Sequence, residues 1–290
     1  MIYQFMQDNR DTHRVEEMAR VLKVSRSGYY AWTKRPESHR RVQEGELTEQ
    51  IREIQGRVHN RYGTPRITAE LARRGKSVGH NRIAHILREN RLGARPKKRF
   101  RITTRSAKGA EVATNVLDRC FRVSATNKVW VSDITYVATA EGWLYVCVII
   151  DLYSRRVVGW SMGTSLATEL VLQAFLMAVN RRQPPKGLMF HSDRGVQYAS
   201  HDFRRALKAY EMLQSMSRKG ECWDNACAET FFKTLKTELI GQRIYRTRRE
   251  AKAAIFEYID VFYNRVRLHS YLGYATPAEY EKGSPRRSAA

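Results

Sequence analysis

No run of this chain is long and apolar enough to cross a bilayer: its longest apolar stretch, residues 144–150, falls well short of the roughly 20 residues that a membrane helix needs. The opening MIYQFMQDNR has no apolar signal-peptide region. A cytoplasmic protein without a membrane partner is therefore expected. Cysteine is scarce as well. Cys120, Cys147, Cys222 and Cys227 form no CxxC pair and have no His partners at finger spacing, which excludes a disulfide framework and a structural zinc. They read as reduced, mostly structural thiols. Acids are outnumbered, with 29 Asp plus Glu against 52 Lys plus Arg, a formal +23. Such an excess repels itself unless a polyanion neutralises it, and a phosphate backbone does so with release of counterions. An acidic membrane surface would serve too, but no basic amphipathic helix or lipidation motif is present.

What is there fits folded domains: 42% of residues are apolar and 10% aromatic. A length of 290 residues allows one large core with one or two small modules. Residues 15–32 read as two short helices around Lys23 to Ser25, with Met18, Val21, Leu22 and Val24 sharing a small core. Ser25 is placed to cap the second helix, whose Arg26, Ser27 and Tyr29 are types that reach phosphates and base edges. A helix-turn-helix and a plain helical hairpin fit this pattern equally. Three further helices follow at 47–58, 67–74 and 82–89. Leu71, Val78, Ile83, Ile86, Leu87 and Leu92 supply a second small core. Between Asn90 and Ala110 there is no acid, while Lys97, Lys98 and Arg99 stand among many cations, so a basic linker ordered by DNA is expected.

From Lys128 the period changes to that of strands. WVSDITYV, WLYVCVII and residues 156–161 make a three-strand meander with turns at Glu141-Gly142 and Tyr153-Ser154. A helix at 167–181, a short strand at 187–190 and a helix at 200–210 complete a mixed α/β layer fold, in the order βββαβα before a final helix. Asp133 lies inside the first strand among apolar neighbours, where an unpaired carboxylate is costly. Asp193 follows the strand ending at Phe190, at the sheet's carboxyl edge where ligands collect. Glu229 stands early in a helix over 226–239, sharing a face with Lys233 and Lys236, beside the apolar stripe of Ala228, Phe232, Leu235 and Leu239.

Three carboxylates without a His or Cys cluster specify hard oxygen ligands for Mg²⁺ or Mn²⁺, and two ions suit in-line displacement at phosphorus. Any one of the acids alone would serve equally in a salt bridge with the abundant Arg and Lys. Asp151 and Asp224 read as structural, Asp224 as a cap for the Glu229 helix, and His191 as fixing a loop. Trp223, Tyr198 and Lys233 are further candidates to touch DNA.

Spacing adds a resemblance. With 35 residues between Asp193 and Glu229, and Lys236 two helical turns beyond, the chain resembles transposases of the insertion-sequence-three type, whose Asp, Asp, 35 residues, Glu core is shared with retroviral integrases. The likeness rests on Trp130-Val131-Ser132-Asp133-Ile134-Thr135-Tyr136, His191-Ser192-Asp193-Arg194-Gly195 with Gln197-Tyr198, Asp224-Asn225-Ala226 ahead of Glu229, and Tyr263-Asn264 with His269-Ser270. It implies an α/β fold: an RNase H-like mixed five-stranded sheet flanked by helices, the integrase catalytic core, preceded by small all-α helix-turn-helix modules. It also implies cleavage of element ends and their joining to target DNA by Asp133, Asp193 and Glu229, with two Mg²⁺ or Mn²⁺ ions and Lys236 on the terminal phosphate.

The implied organisation is a helix-turn-helix-like segment at 1–40, a second DNA-binding module at 41–94, a basic linker at 95–122, the core at 123–240 and a helical extension at 241–290. Thr247 to Glu250 and Thr276 to Glu279 read as capping boxes in that extension, with Arg265, Arg267 and His269 adding positive charge between them. Double-stranded DNA, at element ends and at the target, is the expected partner. A homo-oligomer is expected, since two ends must be held. There is no sustained heptad, and the resemblance is to the second-frame product, which implies an upstream-frame partner or fusion.

Overall fold

The computed structural model describes residues 1–35, 38–94, 113–218 and 221–283. The chain divides into two compact units, Met1–Glu53 and Ile54–Ala290. In the first, α1 (Ile2–Asp8), α2 (Val15–Val21) and α3 (Arg26–Lys34) precede α4 (His39–Arg57), within which the division falls. Ser25 caps α3, its hydroxyl accepting from the Gly28 amide at 3.0 Å. Met6, Met18, Ala19 and Tyr29 form the core. Two expectations are corrected here. Tyr29 is not an exposed contact residue: its ring is buried and its hydroxyl donates to Gln7 Oε1 at 2.7 Å. The partner comes from α1, a helix that the periodicity does not announce. Val21, expected in the core, is 78% exposed because Ala19 takes the inward place.

The second unit begins with α5 (Thr64–Arg73) and α6 (His80–Glu89), whose Ile67, Leu71, Ile83, Ile86 and Leu87 are buried. Val78 and Leu92 are only half-buried. Helix α4 starts eight residues before the expected 47, since its first turns are exposed and carry no apolar face for a periodicity to find. Lys97, Lys98 and Arg99 lie outside the described residues.

Strands β1 (Val129–Thr139), β2 (Gly142–Asp151) and β3 (Val157–Gly163) form an antiparallel meander. Gly142 opens β2 at φ +103°, a conformation that side chains rarely adopt. Helix α7 (Thr168–Arg182) packs so closely on β3 that a Cβ on Gly159 would lie 2.3 Å from the Ala174 carbonyl oxygen. Strand β4 (Met189–Ser192), α8 (Val196–Ala199), α9 (His201–Ala209) and β5 (Leu213–Met216) complete a mixed five-stranded sheet in the order β3-β2-β1-β4-β5. Strand β4 runs through Ser192 rather than ending at Phe190, and β5 is a strand that the alternation reading passed over. Its four residues are too short a sample of period two.

Helix α10 (Ala226–Glu238) follows, packing Ala228, Phe231, Phe232 and Leu235 inward. Helix α11 (Arg248–Phe256) continues into a π-helix over Glu257–Tyr263. Thr247 accepts from the Glu250 amide at 3.1 Å, but Glu250 accepts from the Arg246 amide instead of that of Thr247, so only half of the expected box forms. The box opening α12 (Pro277–Glu281) is complete, Thr276 and Glu279 each accepting the other's amide. Arg267 adds no surface charge as had been expected: it is buried with Nη2 2.8 Å from Glu238 Oε1, and burial beside Arg267 keeps His269 neutral. Among the described residues no helix is long and apolar enough to cross a membrane.

Candidate active site

The register of two parallel strands builds the site. Strands β1 and β4 pair at Val129 with Met189, Trp130 with Phe190 and Val131 with His191, and there the pairing stops. Asp133 is the second residue after Val131, and Asp193 the second after His191. Because side chains repeat every two residues along a strand, equal offsets from one paired position send both carboxylates to the same side of the fork. Each is then fixed locally. Asp133 Oδ1 accepts from the Ile134 amide at 2.7 Å, and Asp193 Oδ1 from the Gly195 amide at 2.9 Å. A Cβ on Gly195 would stand 3.0 Å from that Asp193 oxygen, so glycine is the residue that leaves room for the turn.

The electrostatics are those of acids for which burial and mutual repulsion outweigh the one lysine, Lys236, that acts on Asp133. Burial, then repulsion from Asp193 and more weakly from Glu229, pushes the Asp133 carboxyl well above the usual carboxylate range. Burial raises Asp193, and raises Glu229, which is the most exposed of the three. Among the described residues no three His, Cys, Asp or Glu side chains close into a metal cage. Asp133 and Asp193 stand together, and Glu229 faces them from the first turn of α10.

Two other buried acids, Asp224 and Asp151, have arginines against them. Asp224 takes Arg218 Nε at 3.0 Å, Arg119 Nε at 2.8 Å and Asn115 Nδ2 at 2.9 Å, and these arginines hold its carboxyl far below the usual range. It is an arginine hub and not the helix cap expected from sequence; the cap position is taken by Asn225, whose side chain caps nothing. Asp151 accepts from the amides of Asn127 and Tyr153, with Arg182 3.6 Å away. Around Asp133 the opposing charge is smaller: repulsion from Asp193 outweighs the attraction of Lys236.

Helix α10 is docked on β1 by Asn225, whose Nδ2 donates to the Ser132 carbonyl at 3.0 Å. Lys236 reaches back from the same helix, its Nζ 5.4 Å from the centre of the Tyr136 ring. Burial lowers its ammonium group's pKa, while Tyr136 and Asp133 act in the opposite direction. Lys233 is exposed, and Trp223 is 67% exposed on the turn before α10. Arg26, in the other unit, is exposed and 3.4 Å from Glu16. Tyr198 is no DNA contact. It is buried, and its hydroxyl shares a 2.8 Å hydrogen bond with Ser132 Oγ. His191 bridges β4 to β5 through Ser215 at 2.9 Å and Ser217 at 3.2 Å, and burial brings its pKa down to about 4. Asn225 and the Asp224 hub were missed as positioning groups, because their partners lie far away in sequence.

Comparison with known proteins agrees with this architecture. Residues 123–222 and 229–284 match two families each described as an integrase core domain, and residues 43–100 match an HTH-like domain. The chain is 43% identical over 265 residues to the insertion element IS600 uncharacterized 31 kDa protein of Shigella sonnei, covering 91% of this chain and 97% of that one. It is 39% identical over 283 residues to transposase InsF for insertion sequence IS3A of Escherichia coli strain K12, covering 97% and 98%. A chain of the simian T-cell lymphotropic virus intasome in complex with PP2A regulatory subunit B56 gamma superposes with a TM-score of 0.47 at 15% identity, over 81% of this chain and 75% of that one. Identity of this extent along nearly the whole length, with the integrase core over the strands that carry Asp133 and Asp193, makes this chain a member of the IS3-type transposase family of polynucleotidyl transferases.

Proposed function

We propose that Asp133, Asp193 and Glu229 are the catalytic carboxylates, and that they hold two divalent cations, Mg²⁺ or Mn²⁺, with which the protein cleaves the ends of an insertion sequence and joins them to target DNA. One observation supports this reading: in a chain of formal charge +23, Asp133 and Asp193 stand half-buried together at the fork and repel one another, with the charge of Lys236 as the weakest influence on Asp133. Desolvated like charges that a single lysine only partly offsets are costly, and a divalent cation removes that cost. The donor set fits such an ion, being carboxylate oxygen throughout, where a softer metal would call for His or Cys.

A bound divalent ion would activate the attacking water or 3′-hydroxyl and stabilise the leaving oxygen. The remaining roles belong to the chain itself. The β1–β4 register sets two carboxylates side by side, and Asn225 sets the approach of Glu229 to them. Lys236 supplies a cation beside the reacting phosphate. Lys233, the exposed Arg26 and the basic segment with Lys97, Lys98 and Arg99 would grip the DNA backbone away from the cut. Joining two ends calls for at least two protomers, and the second-frame resemblance for an upstream-frame partner or fusion.

Incubating labelled element ends and target DNA with Mg²⁺ and the protein, alone and with the upstream-frame product, tests this reading. Asp133→Asn, Asp193→Asn and Glu229→Gln should each abolish cleavage and joining while DNA binding persists. A variant that still cuts removes its residue from the site.

A further inference from the structure

Beside the fork, β1 and β2 present two large rings to solvent. Tyr136 is 38% exposed and Trp143 is 50% exposed. They meet edge to face, with centroids 4.9 Å apart and planes at 81°. Their backbones are locked in the ladder that carries Asp133, since Tyr136 pairs with Tyr145 and Trp143 with Ala138. The surface is therefore stiff; at an odd offset of three residues along β1 it lies on the face opposite the Asp133 side chain, and Lys236, whose charge meets both Tyr136 and Asp133, links the two. Cations flank it. Lys236 Nζ lies 5.4 Å from the Tyr136 ring centre, and Arg248 Nε donates to the Trp143 carbonyl at 3.1 Å. Arg246 is exposed on the chain segment that reaches Arg248.

We propose that Tyr136 and Trp143 are a stacking platform for an unpaired nucleotide of the DNA end being processed, with Lys236 and Arg248 on the phosphates to either side. This inference rests on the reading of Asp133, Asp193 and Glu229 as the reaction centre. Rigid aromatic faces between cations bind single-stranded nucleic acid by stacking and charge, without reading base identity. A phosphodiester at a duplex end reaches a recessed carboxylate centre only when the end opens, and a held base keeps it open. The charge complementarity favours a nucleic-acid strand over an apolar protein surface as the occupant.

The test uses the whole chain in EDTA, so that no cutting intervenes. Its probes are duplexes with either a blunt end or a short single-stranded overhang that carries a fluorescent purine analogue. Wild type should bind the overhang about ten-fold more tightly than the blunt end and quench the analogue, a preference of the size that one stacked base supplies. Trp143→Leu and Tyr136→Leu should lose both preference and quenching, while Trp143→Phe, which keeps a ring and controls for folding, should retain most of each. Equal binding of the two probes by wild type, or unchanged quenching in Trp143→Leu, would overturn the platform. Asp133→Asn should stack as wild type does; if it also cuts when Mg²⁺ is added, the carboxylate reading fails while the platform stands.

Discussion

Asn225 donates its side-chain amide to the carbonyl of Ser132, 3.0 Å away, and so fastens the start of the Glu229 helix to the strand directly before Asp133. One hydrogen bond thus spans two of the three acids. Replacing Asn225 by Ala removes a buried bond worth about 1 kcal/mol net, and frees the helix to shift. A displacement of about 1 Å at a reaction centre costs on the order of 100-fold in rate. The expectation is a small fall in Tm with a much larger loss of strand transfer, DNA binding being kept. Equal losses in stability and activity would make Asn225 merely structural.

Asp133 gives a stability prediction with a definite sign. Its pKa in the fold is raised, so the folded state holds the proton more tightly than the unfolded chain does. Its contribution to stability is intact below the unfolded carboxylate pKa and is lost as pH rises through the higher folded value. At neutral pH, without divalent ions, Asp133→Asn should therefore raise Tm by a few degrees, about 1 kcal/mol corresponding to about 2–4 °C in a chain of this size. Added Mg²⁺ should stabilise wild type and not the variant. Calorimetry that found the variant less stable in EDTA would contradict the burial of an unpaired carboxylate.

His191 predicts the opposite slope. Burial between β4 and β5 brings its pKa to about 4, from an ordinary 6.5. As pH falls from 6.5 towards 4, the unfolded chain takes up a proton that the fold refuses, and stability declines. His191→Gln, which keeps donors and acceptors for Ser215 and Ser217, should flatten that decline in a Tm-against-pH series. An unchanged slope would exclude His191 as its source.

Glu238, at the end of the helix that bears Glu229, is paired with Arg267 at 2.8 Å and stands 3.5 Å from Arg66 of α5. Glu238→Leu leaves the Arg267 charge buried without its partner, a change that costs about 3–5 kcal/mol. Chemical denaturation should show it as strongly destabilised, whereas a substitution at exposed Lys233 should leave the midpoint within about 0.5 kcal/mol of wild type.

The meander, α7 and α10 were legible because their apolar spacing is long enough to distinguish two from 3.6 residues per period. The family was legible through spacing, in the 35 residues between Asp193 and Glu229, and strand context singled out Asp133 as a candidate. Tyr29 was misread because its polar tip suits a surface until Gln7, on an unannounced helix, takes its hydroxyl. Asp224 was read as a cap because local sequence shows a helix start and cannot show Arg119, more than 100 residues away. The burial of Arg267 escaped for the same reason, its partner Glu238 standing 29 residues away, whereas strand β5 was too short to show its period.

The early parting of β1 from β4 divides stiffness unequally around the chemistry. On its β2 flank Asp133 is held by an unbroken ladder from Trp130 to Thr139. On the other flank the pairing with β4 ends at Val131, and the start of α10 is moored there through Asn225. On the proposed reading, closure around a bound ion is expected to move the helix more than the sheet, and variation among relatives should concentrate in the turn before Glu229.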